Sequence, residues 1–174
     1  MELFYKILTS LFCRLWNRQY YKFPGISADV IFAPAFPGMI RIISPQNCKI
    51  GHKTVINAGA VIHCAGGVTI GKYVHIGHGL CIYSSNHNYA SDKSIPYDEM
   101  SILKPVEIND CVWIGANVSI VPGVKIGEGA VIGMGAVVTH DVPMCAIVGG
   151  NPAAVIAYRD KETYLRLRDS ENYF

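Results

Sequence analysis

Isoleucine recurs along the middle of this chain at a spacing that no helix can use. Ile50, Ile56 and Ile62 form one run, Ile70, Ile76 and Ile82 a second, and Ile108, Ile114, Ile120, Ile126, Ile132 and Val138 a third, each stepping by six. Glycine favours the next position (Gly51, Gly71, Gly77, Gly115, Gly127, Gly133), and small or β-branched residues fall four after the isoleucine, as at Thr54, Ala60, Val74, Val112, Val118, Ala130 and Ala136. Six residues advance an α-helix by about 600°, so successive isoleucines would point to different sides. Short strands satisfy the pattern. If each hexapeptide forms one flat side of a triangular coil, three make a turn of about eighteen residues and the isoleucines stack inward as apolar columns. The expected fold is therefore all-β, a parallel β-helix, with glycine and asparagine near the corners supplying conformations that other residues resist.

Faults in the spacing locate a seam. From Ile62 to Ile70 the step is eight and from Ile82 to Ile108 it is twenty-six, while "GGVTIG" and "KPVEIN" resume alike. One corner thus receives both insertions, and an extended loop is expected over residues 83–105. A further upstream turn is expected through Val30, Phe36 and Ile42, followed by another step of eight to Ile50. The coil is expected to occupy residues 26–156.

The flanking segments follow a different period. Leu3/Phe4, Ile7/Leu8, Leu11/Phe12 and Leu15/Trp16 fall on one stripe of a helix, so residues 1–25 are expected to form an N-terminal amphipathic helix. Lys6, Arg14, Arg18 and Lys22 face only Glu2 as counter-charge. Residues 3–18 therefore suit either an anionic membrane surface or packing against the coil or another subunit. Beyond Gly149, Gly150 and Pro152 the repeat is lost, and residues 157–174 are expected to carry a short charged helix from about Asp160, capping the open end of the coil.

Composition narrows the partners. A 174-residue chain with 51% hydrophobic and 16% charged residues fits one packed domain, and a net charge of +2 makes no electrostatic case for nucleic acid. Cys13, Cys48, Cys64, Cys81, Cys111 and Cys145 contain no CxxC pair, which points to buried free thiols. The N-terminus has no uninterrupted apolar core or small-residue cleavage site, and its cations break it well short of the ~20 apolar residues of a membrane span. The cytoplasm is the expected compartment, with membrane association as the added setting that the basic stripe allows.

Among the histidines, His87 stands out because it sits inside the long loop, in "SSNHNY". A loop projecting from a rigid scaffold is a favoured place for catalysis, and an imidazole titrates near neutrality. Asn86 and Asn88 flank it as candidate substrate contacts, and Asp92, Asp98 and Glu99 are placed to orient the ring. His75 and His78 have HxxH spacing but fall on different faces without an obvious third ligand, so no metal is expected. His52, His63 and His140 suit surface or corner positions. No Gly-rich phosphate loop, GxSxG or paired-carboxylate signature is present.

The run from Val106 to Ile156, "VEINDCVWIGANVSIVPGVKIGEGAVIGMGAVVTHDVPMCAIVGGNPAAVI", resembles the C-terminal half of hexapeptide acyltransferases. The nearest are the galactoside, maltose and nodulation-type sugar O-acetyltransferases, and the likeness extends back to about Ile50. The resemblance implies a left-handed β-helix, a homotrimer, and an acetyl-CoA site in the groove between neighbouring coils. Carried over by position, His87 would be the general base. Trp113 would flank the acetyl or pantetheine end, and Ala116 and Met134 would line the pantetheine arm. Thr139 and His140, with the backbone from Gly150 to Ala153, would reach the adenosine-phosphate end. Two departures stand out. Ala153 and Ala154 follow Pro152 where family members often carry a basic residue, leaving Arg159 or Lys161 for the CoA phosphates, and residues 1–45 do not match the segment that helps the sugar acetyltransferases bind their acceptor. The expected function is acetyl-CoA-dependent O-acetylation of a sugar or saccharide precursor, in capsule, lipopolysaccharide or exopolysaccharide biosynthesis. The alternatives are an acyltransferase for serine or an amino sugar, the former expected to need a longer N-terminal domain, and a non-enzymatic or carbonic-anhydrase-like β-helix with zinc on His75, His78 and His87.

Overall fold

In the computed structural model, which describes residues 4, 7, 8, 11, 12, 15, 16, 18–33 and 39–174, every isoleucine of the three runs turns inward, as does Val138, and none is more than 2% exposed. Glu2, Leu3, Lys6, Cys13, Arg14 and Phe36 lie outside the described residues. The strands stack into three parallel sheets, each one side of a triangular coil. Face A holds Cys48–Ile50, Val68–Ile70, Val106–Ile108 and Lys125–Ile126. Face B runs from Ile31–Phe32 through Val55–Ile56, His75–Ile76, Trp113–Ile114 and Val131–Ile132 to Ala146–Gly149. Face C holds Arg41–Ile43, Val61–His63, Cys81–Tyr83, Ser119–Ile120 and Val137–Val138. Register is set by like on like: Ile56 pairs with Ile76, Ile76 with Ile114 and Ile114 with Ile132. Each buried isoleucine contributes about 1.5–3 kcal/mol, so the columns form the core. Thr54 is a polar member of it, and its hydroxyl donates to Gly71 O at 2.8 Å.

The corners differ in chemistry. Between faces B and C the expected glycine and asparagine appear, with Gly59, Gly79, Asn117 and Gly135 at φ 78°, 72°, 56° and 73°. Between faces A and B the same left-handed conformation falls mostly on side-chain-bearing residues, Lys53, Tyr73, Cys111 and Cys145 at φ 56°, 55°, 58° and 60°, with Gly129 at 67°. Such residues cost roughly 1–2 kcal/mol each, which coil packing offsets. Coils also approach closely: a Cβ on Gly115 would sit 2.7 Å from Met134 N. Between faces C and A the chain tolerates insertion, and this corner takes the eight-residue steps and the long loop.

One coil lies upstream, in a register other than the expected one. Ile26 bridges to Ile50, Phe32 pairs with Ile56 and Ile42 with Ile62, so these three point inward. Val30 fills the small-residue position four after Ile26, equivalent to Thr54. Pairing with the next coil decides the register, and the ten-residue step from Phe32 to Ile42 hides it from a count by sixes.

Tyr20, within the 3-10 helix Arg18–Lys22, covers this coil: its hydroxyl donates to Ile40 O at 3.2 Å and accepts from Ile42 N–H at 3.1 Å. Upstream, Phe4, Ile7, Leu8, Leu11, Phe12 and Leu15 are helical and 54–69% exposed, whereas Trp16 donates from its indole N–H to Ile40 O at 3.3 Å, so among the described residues the stripe meets its own coil at the Trp16 end and is otherwise exposed. At the other end Ala154–Tyr158 turns back antiparallel against Ala146–Gly149 and covers the last coil. The C-terminal helix Lys161–Asp169, capped by Asp160 accepting from Thr163 N–H at 2.8 Å, therefore does not close the end as expected. It lies along the A/B corner, with Tyr164 donating to Glu128 at 3.0 Å and Tyr173 stacked on Tyr73 at 4.0 Å.

Candidate active site

The long loop leaves the C/A corner through a tight neck. Ser84 is fully buried there; its hydroxyl donates to His63 O at 2.8 Å and accepts from Gly66 N–H at 2.9 Å, while its carbonyl accepts from Lys104 N–H at 2.9 Å. His63 supports the neck further by stacking on Tyr83 at 5.2 Å. Above it, Ser85–His87 pairs antiparallel with Ser101–Leu103, placing His87 opposite Ser101. His87 thus stands on a hairpin two strands wide rather than on a free loop.

The imidazole is exposed, and its neighbour is aromatic. Tyr97 stacks on it with centroids 3.8 Å apart and planes 13° from parallel, which restricts the ring to one plane. Among the described residues no carboxylate reaches the ring, contrary to the expectation for Asp92, Asp98 and Glu99. Asp98 is instead turned inward, where it accepts from Asn88 Nδ2 at 2.8 Å and from Met100 N–H at 2.9 Å. Hydrogen bonds from the Ser91 hydroxyl, then Met100 N–H and the Asn88 amide, hold its carboxyl below the usual range against the opposing effect of burial. Asn88 is consequently occupied with the loop's own structure. Asn86 Oδ1 accepts from the His87 backbone N–H at 2.9 Å, and Asn86 also lines a cleft of about 160 Å³ with Tyr89 and Lys104.

The remaining candidates divide among the corners. Thr139 and His140 lie at the C/A corner, with Oγ1 and Nδ1 2.9 Å apart. Ala116 and Met134 lie on successive coils at the B/C corner, where Gly135 N–H donates to Ala116 O at 2.9 Å, and Met134 is exposed. Trp113, also exposed, stands on face B just before that corner. Gly150 and Ala153 are tied to Val137 by hydrogen bonds of 3.0 and 2.8 Å, which bring the "GNPA" turn beside face C. Arg159 is separate: its N–H donates to Cys145 O at the A/B corner, across face B from Ala116 and Met134. Within one chain, His87 and the Trp113–Ala116–Met134 track lie at opposite edges of face C. No group of three His, Cys, Asp or Glu able to hold a metal occurs among the described residues.

Residues 105–140 match the family described as bacterial transferase hexapeptide (six repeats). A hexapeptide-repeat-containing acetyltransferase from Vibrio cholerae O1 biovar eltor, solved with acetyl coenzyme A, superposes with a TM-score of 0.70 at 30% identity, covering 81% of this chain and 74% of that one. The chain belongs to the hexapeptide-repeat acyltransferase family. Its coil is accordingly a left-handed parallel β-helix. Within this family a maltose O-acetyltransferase from Clostridium difficile 630 superposes with a TM-score of 0.72 at 25% identity, covering 89% of this chain and 88% of that one. Nodulation protein L from Rhizobium meliloti is 42% identical over 109 residues, 63% of this chain and 58% of that protein. The chain spans about half the length of the sequence relatives it matches.

Because the folded carboxyl of Asp98 titrates below the unfolded value of about 3.9, its contribution to loop order is complete above that pH and is lost as pH falls through the lower folded value. Hydrogen exchange across residues 85–103, corrected for intrinsic rates, is expected to stay constant from about pH 8 to 5 and to accelerate below about 3.9. Asp98→Ala should accelerate it at neutral pH without affecting the coil; wild-type protection in that variant would show that Asp98 does not hold the loop.

Proposed function

We propose that the protein transfers an acetyl group from acetyl-CoA to a hydroxyl of a saccharide, with His87 as general base. The observation that carries this reading is an exposed imidazole, held in one plane by Tyr97, on a braced hairpin that leaves a rigid hexapeptide coil. The Vibrio cholerae relative was solved with acetyl-CoA and the Clostridium difficile relative is a maltose O-acetyltransferase, which supports the donor and the acceptor class.

The chemistry is direct. The acceptor hydroxyl gives its proton to the His87 imidazole as its oxygen attacks the thioester carbonyl, and the tetrahedral intermediate collapses with loss of CoA thiolate, which takes the proton back. A base so placed contributes about 10²–10⁴-fold. Trp113, Ala116 and Met134 form an open track for the acetyl and pantetheine end, and the small side chain of Ala116 leaves backbone amides accessible. Since His87 and this track lie at opposite edges of face C, two copies of the chain complete one site: the loop of one reaches the B/C corner of the next. A closed ring of three satisfies that heterologous contact at every subunit. Thr139 and His140, below the loop, then face the same cleft and suit the nucleotide end of the donor.

A membrane-surface setting for saccharide synthesis, on the cytoplasmic side where acetyl-CoA is made, is supported by the exposed Phe4, Ile7, Leu8, Leu11, Phe12 and Leu15 beside exposed Arg18 and Lys22. Among the described residues no helix is long and apolar enough to cross a membrane.

Purified protein incubated with acetyl-CoA and a panel of mono- and oligosaccharides, amino sugars and serine should release free thiol with hydroxyl-bearing sugars. His87→Ala should lower kcat by roughly 10²–10⁴-fold with the fold intact. Undiminished turnover in that variant would refute the base, and transfer to amines alone would move the activity to the amino-sugar class. Separately, the protein should co-sediment with vesicles containing anionic lipid, and Leu8→Glu with Leu11→Glu should abolish this; sedimentation unaffected by both charges would remove the membrane role.

A further inference from the structure

CoA carries a diphosphate and a ribose 3′-phosphate, and the cations expected for them stand at the wrong corner. Arg159 and Lys161 lie at the A/B corner, with face B between them and Ala116 and Met134. From Gly77 onward, face C and the two corners that border it carry only two Lys or Arg residues, Lys93 and Lys104. Lys93 lies out in the loop, past the paired strands Ser85–His87 and Ser101–Leu103, whereas Lys104 sits where the loop returns to the coil.

Lys104 is held at that neck. Its N–H donates to Ser84 O at 2.9 Å, and its aliphatic stem crosses the next coil at Gly123, where an added Cβ would stand 3.4 Å from Lys104 Cβ and 3.3 Å from its Cδ. Gly123 has φ 92°, so the position that leaves room for the stem is also one whose backbone conformation resists a side chain. The stem thus runs from the loop's coil toward the corner that carries Thr139 and His140, one coil further on. Lys104 is exposed and forms no ion pair among the described residues.

Beside Lys104 opens the cleft of about 160 Å³ under the hairpin, with Val121 and Pro122 as its coil wall. Asn86 lines it too, and because its Oδ1 already accepts from His87 N–H, its NH2 group is left as a donor. No Asp or Glu is among the lining residues, and Asp141, the carboxylate at this corner, is engaged with Lys125 N–H on face A at 2.8 Å. The cleft therefore offers a cation and an amide donor and no carboxylate, which is the chemistry of a phosphate site.

We propose that Lys104 binds a phosphate of the CoA donor whose acetyl and pantetheine end lies on the Trp113, Ala116 and Met134 track of the neighbouring copy. The contact rests on the two-copy site of the proposed acetyl transfer and adds a donor-binding residue to it. The copy that supplies His87 also supplies the phosphate cation, and the neck at Ser84 holds both. Two groups of the donor have this chemistry, the diphosphate and the 3′-phosphate.

Calorimetric titration of the full chain with CoA and with 3′-dephospho-CoA, without acceptor, tests the contact. Lys104→Met keeps a stem over Gly123 and removes the charge, so it should weaken CoA binding by roughly tenfold or more, whereas Lys104→Arg should stay within about threefold of wild type. An equal loss with dephospho-CoA would assign the diphosphate and no loss the 3′-phosphate; both support the contact. Wild-type affinity in Lys104→Met, a loss that Lys104→Arg shares in full, or a loss in Arg159→Gln with none in Lys104→Met would overturn the contact and leave acetyl transfer standing. Wild-type protein that binds no CoA at all would remove the acetyl-transfer reading itself, and the contact with it.

Discussion

The inward stacking of isoleucines from one coil onto the next is the constraint on which the rest of the molecule depends. It fixes each face at one short strand, and it forces the intervening residues into turns with little freedom. Gly115 shows how little: a Cβ there would stand 2.7 Å from the backbone of the following coil. The A/B corner accepts Tyr73, Cys111 and Cys145 in left-handed conformations because the columns on either side over-determine them. Variation is thereby expelled to the C/A corner, where Cys81–Tyr83 can end and Val106–Ile108 resume without disturbing either column.

Rigidity of this kind has a consequence for chemistry. A triangular coil holds its corners apart, so residues at different corners cannot converge by small motions within one chain. His87 rises from one edge of face C, and Ala116 and Met134 line the other. In a flexible α/β enzyme such a separation would argue against a common site. For the proposed reaction it calls for a neighbouring copy, since a heterologous contact repeated round a closed ring can set one edge of a face against the other edge of the next. The hairpin under His87, with Ser84 buried at its neck and Asp98 turned inward, is braced enough to deliver the imidazole in a set orientation.

Much of the coil was legible because a period of six leaves one solution, and the glycines and asparagine at the B/C corner declare it independently. The upstream coil was legible only in outline: the ten-residue step between Phe32 and Ile42 breaks the period, and pairing with Ile56 and Ile62, which no local count contains, sets the register. His87 could be singled out from its loop, but its support could not. Tyr97 follows ten residues later, and nothing short of the hairpin pairing shows that the rings stack. Asp98 was expected at the imidazole because it is a nearby carboxylate; the amides of Asn88 and Met100 claim it first. The groove between face B and the C-terminal segment was invisible for the same reason, since it joins Tyr73 and Trp113 to Arg159, Tyr164 and Tyr173.

The most direct test of a site shared between copies is activity in mixed oligomers. His87→Ala retains the donor track, and Ala116→Trp, which blocks that track, retains the base. Each alone should be nearly inactive in release of thiol from acetyl-CoA. After equal amounts are dissociated and reassembled together, about a quarter of the sites in a ring will combine an intact loop with an intact neighbouring track. Recovery of about that fraction of wild-type activity is the predicted result, and a mixture no more active than its two parents would contradict the account.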